Sequence, residues 1–278
     1  MVDIYLKLNN SDAFVRFLSI PHSDIQRLSI RPLKWLRFVT FTICGSYGHL
    51  HETAAVNTPP VDYNISDLVE SSTYYYIPER EPYAFIDQNE RITSSELTQH
   101  QRSFRNRIMG RDGRSCVFTA EAENVCRAVH IIPKSKGDEY IDRVIQLRSH
   151  LYDHVPDISG INDTQNGIFL NALLHKKYSS GAFAFLKTPN FALDSDDIPG
   201  VGRDPTLPIP LNLTLQQFVP PMGRFPYPDC LSAIFCGTVG GLFPPSILLD
   251  YMYGVTAYKH WKVSDTHSVV NQYFSQNY

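Results

Sequence analysis

Three polar residues stand out by type and order: His130, Asn166 and His175. His130 closes the apolar run from Val125 to Ile132 and is followed by Ile131-Ile132-Pro133. Asn166-Gly167 comes after a polar loop, and His175 follows Asn166 by nine residues. An imidazole titrates near neutral pH, so it can take a proton from a water molecule. Taken singly, each residue has a plain structural reading: a core histidine, a turn asparagine before glycine, a helix-surface histidine. Together and in this order they could serve a hydrolysis in which an imidazole activates water, and a hard divalent ion can neutralise charge on a substrate such as a phosphate and stabilise the leaving oxygen.

The charge distribution is compatible with such a substrate. The formal net charge of -3 argues against a strongly basic nucleic-acid binder. That average hides a basic stretch, because residues 101–150 carry ten basic and six acidic side chains while residues 1–100 carry eight and twelve. A local patch sets up a phosphate-attracting field whatever the total. Arg102, Arg105, Arg107, Arg111 and Arg114 precede His130, and Lys134, Lys136, Lys176 and Lys177 flank the two histidines. Arg127 and Lys176 are the expected phosphate contacts, giving salt-dependent binding with little sequence preference.

The pieces Arg114-Ser-Cys116-Val-Phe-Thr119, Cys126-Arg-Ala-Val-His130-Ile-Ile-Pro133 and Asn166-Gly-Ile-Phe-Leu-Asn-Ala-Leu-Leu-His175 resemble the HNH nuclease family. The resemblance is to the branch with an A-H-I-x-P … N-G-x-x-L-x-x-x-x-H pattern, common in bacterial restriction-type proteins and in fungal proteins. It covers roughly 75 of the 278 residues. It implies a ββα-metal endonuclease in which His130 activates water and His175 and Asn166 hold a divalent ion. Mg²⁺ is the first choice, with Mn²⁺, Ni²⁺ or Zn²⁺ as alternatives. Asn166 has two roles open to it, as a metal ligand or as the amide that holds the His130 loop. Many family members place Asp or His directly before the base; here that position is Val129, which cannot ligate. Asp163 is the best-placed substitute carboxylate, ahead of Asp157 and His154. The implied substrate is DNA, with RNA as the second choice. The alternative is a catalytically inactive HNH-like scaffold that binds or assembles.

The elements that must position these residues follow from local pattern. Cys116–Thr119 and Val125–Ile132 read as a hairpin across Ala120–Asn124. Asp138 to Tyr152 has helical apolar spacing with Asp138 and Glu139 at its positive end. Ile168 to Tyr178 reads as a short strand or turn running into a helix, and Ala182–Thr188 as a further strand. Residues 90–109 suit a helix capped by Ser94 or Ser95. Trp35 to Ile43, aromatic and β-branched, reads as a half-buried strand. Residues 51–82 read as mostly loop, with a strand at Thr73–Ile77. The proline-rich 198–228 stretch reads as a wrapping loop, and Pro244-Pro245 as the start of a helix reaching Lys262. The expectation is an α+β fold with a central HNH-like ββα-metal motif: residues 1–100 a strand-rich flank, 101–195 the nuclease-like domain, 196–278 a proline-rich segment and final helix.

Composition narrows the class further. At 43% hydrophobic with 19 Pro and 15 Gly, the chain is neither collagen-like nor disordered. Five cysteines without a CxxC pair argue against a disulfide framework and a four-cysteine zinc site. Cys116 and Cys126 read as buried thiols packing like small hydrophobes. No run of apolar residues is long enough to cross a membrane, and no secretory pattern opens the chain. The expected location is intracellular, nucleus or cytoplasm.

Overall fold

The computed structural model describes residues 1–8, 13–55, 57–82, 99–201, 212–219, 227–235 and 243–263. The fold begins with β1 (Val2–Lys7) and β2 (Phe14–Ile20), an antiparallel pair. In β1 the side chains of Val2, Ile4 and Leu6 are fully buried while Asp3, Tyr5 and Lys7 are half-buried, the alternation of a strand with one face on a core. Strand β4 (Thr73–Pro78) runs parallel to β1, and β3 (Gly48–His51) closes the sheet in the order β2-β1-β4-β3. Helix α1 (His22–Leu28) follows β2.

Against this sheet packs α2 (Pro32–Cys44), and here the structure corrects the sequence reading. Trp35–Ile43 is helical, not a half-buried strand. Pro32 sits in the first helical turn, and Gly45 ends the helix in the left-handed region at φ 63°. Apart from Lys34 and Arg37, one turn apart, every residue of α2 is buried, so the polar stripe is too narrow to mark a helical period against the aromatic and β-branched composition.

The middle of the chain holds α3 (Gln99–Arg111), β5 (Cys126–His130), α4 (Asp138–Arg148), β6 (Gly167–Asn171) and α5 (Ala172–Ser179). The expected caps Ser94 and Ser95 lie outside the described residues. Strand β5 pairs antiparallel with β6, running from Cys126 opposite Asn171 to His130 opposite Gly167. This is a second correction: Cys116–Thr119 is a turn segment, and only an isolated bridge between Ser115 and Ala122 remains of the expected hairpin. The true partner of β5 arrives after the α4 excursion, a non-local pairing that short-range turn signals do not reveal.

Strands β7 (Phe183–Thr188), β8 (Asn212–Gln217) and β9 (Leu231–Ser232) form a third sheet. Strand β8 falls inside the 198–228 stretch read as loop; its Leu213 and Leu215 are buried in the same core as β5 and β6. Helix α6 (Ser246–Trp261) joins two hydrophobic clusters. Tyr253, Ala257, Tyr258 and Trp261 belong with β1, β2 and α2, while Ile247, Leu248, Tyr251 and Met252 belong with the β5–β6 pair. Helices α2 and α6 touch closely at Gly254, where a Cβ would stand 2.6 Å from the Thr42 carbonyl carbon. Tyr253 completes the contact, its hydroxyl accepting from the Trp35 indole N–H at 2.9 Å. The architecture is α+β, and no described helix is long and apolar enough to cross a membrane.

Candidate active site

Strands β5 and β6 and helix α5 form a ββα unit with His130 at the end of the first strand. The turn into β6 is built by side chains capping backbone. Asp163 caps the short 3-10 turn Thr164–Asn166, its Oδ1 accepting from the Gln165 N–H at 2.8 Å. Its Oδ2 accepts from the Ser159 N–H at 3.1 Å and the Ser159 hydroxyl at 2.8 Å. Burial raises the Asp163 pKa, but these bonds stabilise the carboxylate more and bring it below its usual value.

Asn166 is fully buried, and its amide bridges two backbone segments. Oδ1 accepts from the Ile132 N–H at 2.8 Å, and Nδ2 donates to the Ile132 carbonyl at 3.0 Å and the Ile161 carbonyl at 2.9 Å. Ile131 N–H in turn donates to the Asn166 carbonyl at 2.9 Å. Of the two roles open in the sequence, these contacts support holding the loop that leaves His130. Tyr178 of α5 adds a tether, its hydroxyl donating to the Ile131 carbonyl at 3.0 Å.

The His130 ring is half-buried, with Nε2 3.2 Å from Oδ1 of Asn162. Its plane stacks on Phe104 of α3, centroids 3.9 Å apart and planes 7° from parallel. Burial pushes the imidazole pKa down to about 4; the Asn162 bond works upward, and the charges of Lys134 and His175 push further down. His130 is therefore neutral at physiological pH, the form a proton acceptor needs. His175, on the next turn of α5 after its Asn171 cap, is also half-buried. Burial lowers its pKa, and the Arg127 charge adds to the effect. The two histidines thus lie within each other's electrostatic reach.

Arg127 and Lys176, the expected phosphate contacts, are both exposed. Most of the arginines before the site are engaged in structure. Arg111 pairs with the buried Asp112 at 2.6 Å and donates to the Thr164 and Gly167 carbonyls. Arg107 donates to the Asn162 carbonyl at 2.8 Å, and Arg105 to the Glu123 carbonyl at 3.0 Å. Arg114 pairs with Glu123 at 2.6 Å. The thiols of Cys116 and Cys126 are buried and unbridged.

Whether these residues suit a divalent ion follows from the donors. Among the described residues no three His, Cys, Asp or Glu side chains gather as a ligand set. Both Asp163 oxygens cap backbone, the Asn166 amide is held by three bonds, and Val129 is a buried apolar side chain. Of His175, Asn166 and Asp163, only His175 keeps its donor atoms out of a hydrogen bond among the described residues. One imidazole without a carboxylate does not fit a resident hard cation, which takes oxygen ligands.

Sequence reasoning missed Asn162 and Phe104. Asn162 sits in a loop where a polar residue is unremarkable, and Phe104 lies on a helix whose link to the β5–β6 pair no local pattern shows.

Residues 116–186, which hold the ββα unit, match the family model described as HNH endonuclease. The match spans β5, α4, β6, α5 and part of β7, and leaves α3 and α6 outside it. Nucleases of this family generally use a divalent metal ion. No curated protein and no solved structure matches the chain.

Proposed function

We propose that the HNH-type domain at residues 116–186 is a nuclease domain hydrolysing phosphodiester bonds of nucleic acid, DNA before RNA. The observation that carries this reading is the neutral imidazole of His130 at the end of β5, held at Nε2 by Asn162 and neighboured by His175. His130 takes the proton from the attacking water, which then bonds to phosphorus as the leaving oxygen departs. Held by its loop contacts, Asn166 keeps the His130 backbone fixed while this happens. Arg127 and Lys176 hold the strand by its phosphates. A nucleic-acid substrate suits the nucleus or the cytoplasm.

A second reading has a specific observation behind it. The spent Asp163 and Asn166 and the apolar Val129 favour a scaffold that binds without cleaving. Plasmid cleavage by the purified protein, with Mg²⁺, Mn²⁺, Ni²⁺ or Zn²⁺ added in turn, separates the two. Cleavage by wild type that His130→Ala loses by at least ~100-fold, the contribution of a general base, supports the nuclease. Wild type inert with every metal supports the scaffold. Equal cleavage by wild type and His130→Ala removes His130 from the chemistry.

A further inference from the structure

We propose that α3, which precedes the family-matched segment, is part of the active site and positions the His130 imidazole through Phe104 and Arg107. This rests on the reading of His130 as the base.

One face of α3 carries the argument. Residues 104, 107, 108 and 111 recur at helical spacing, so their side chains share one side of the helix. Each meets the loop or strand that frames His130. Phe104 lies flat on the imidazole. Arg107 holds the backbone carbonyl of Asn162, the residue whose side chain meets Nε2. Ile108 and Phe104 pack on Gly167, which stands opposite His130 in the β5–β6 ladder. A Cβ there would stand 2.6 Å from Cζ of Phe104 and closer still to Cδ1 of Ile108. Arg111 donates to the Gly167 and Thr164 carbonyls, and the adjoining Asp112 accepts from the Phe169 N–H at 2.9 Å.

The chemical consequence is a defined tautomer and plane. An amide oxygen only accepts, so Nε2 must carry the proton, and Nδ1 keeps the lone pair that receives the proton of the attacking water. Phe104 blocks one face of the ring and prevents its tilting. Asn162 sets which ring atom is the base, and helix α3 fixes the plane of the ring through Phe104 and braces the Asn162 backbone through Arg107, neither of which residues 116–186 supply alone.

The test uses the full chain and reads the ring directly. Long-range ¹H–¹⁵N spectra of histidine-labelled protein report the His130 tautomer and its titration. Wild type is expected to show the Nε2–H form and to titrate well below an ordinary histidine. Arg107→Ala alters an exposed side chain, and Phe104→Leu keeps an apolar side chain without the flat ring. Both should mix the tautomers, and Phe104→Leu should raise the titration point. Both should lower kcat about tenfold with KM unchanged, since misplacing a reacting group costs rate more than binding. Asn162→Ala should do the same, and Asn162→Asp, which keeps an acceptor, should restore the Nε2–H form.

An unchanged tautomer and titration in Phe104→Leu and Asn162→Ala overturns the inference. So does a changed ring signal with unaltered kcat in a protein that needs His130. If His130→Ala cleaves like wild type, the reading of His130 as base fails instead, while the spectra still decide whether α3 orients the ring.

Discussion

Replacing Asn166 by alanine removes one side chain that makes three buried hydrogen bonds, to the Ile132 N–H, the Ile132 carbonyl and the Ile161 carbonyl. Each lost bond to a carbonyl costs about 1 kcal/mol net, and the Ile132 N–H, left buried without an acceptor, costs about 1–3 kcal/mol unless water reaches it. With Asn166 fully buried and Ile132 likewise, little water can enter, so the expected loss is about 3–5 kcal/mol. For a protein of this size that corresponds to a Tm lower by about 10 °C. Thermal unfolding by circular dichroism and urea midpoints measure it, and hydrogen exchange at the Ile132 amide localises it. Asn166→Asp sharpens the test. It keeps the oxygen for the Ile132 N–H but turns a second oxygen toward two carbonyls. Its penalty should exceed that of alanine at pH 7 and shrink on acidification, when a protonated carboxyl can donate again. A Tm for Asn166→Ala within about 2 °C of wild type, with Ile132 protection unchanged, would refute the claim that this amide holds the loop.

Gly254→Ala places a methyl group against the Thr42 carbonyl and should cost about 1–3 kcal/mol by forcing α2 and α6 apart, read by calorimetry. Burial pushes the Asp250 carboxyl up to about 7, against the Tyr152 bond and the charges of Lys187 and Arg148. The folded state then binds more protons than the unfolded one between the ordinary carboxyl value and about 7, so this contribution is present in acid and lost as pH rises through 7. Asp250→Asn should remove that slope, gaining on wild type above pH 7 in urea midpoints; parallel pH curves would count against it. His130 acts in the opposite direction: its depressed pKa keeps its contribution above the unfolded histidine value and loses it as pH falls toward about 4, a slope that His130→Ala should abolish. Arg127→Ala with Lys176→Ala should weaken DNA binding uniformly across sequences and reduce the log–log salt slope by about 2, measured by fluorescence anisotropy.

Much of the candidate site's layout along the chain was legible in the sequence. His130, Asn166 and His175 sit in the expected order at a strand end, a turn and a helix, because the Asn-Gly turn, the apolar strand and the helical spacing are all local patterns. The helix from Asp138, the strand before α5, β7 and the final helix after Pro245 were readable for the same reason. Three features were not. Trp35–Ile43 is helical although Arg37 is its one residue that is not buried, too little polar signal to mark a period against an aromatic and β-branched run. The partner of β5 was β6 and not Cys116–Thr119, because strand pairing across an inserted helix is a non-local choice. Strand β8 was hidden in a proline-rich stretch because its order comes from pairing with β7 and β9.

Residue types and spacing in the chain thus settle which groups can take a proton and roughly where along the fold they stand. They do not settle what those groups touch. Packing spent the Asn166 amide and the Asp163 carboxylate on backbone, and set Phe104 against His130 from a helix outside the matched segment. The physical reason is that hydrogen-bond partners and burial are properties of chain segments brought together from afar, and a side chain's chemistry depends on both.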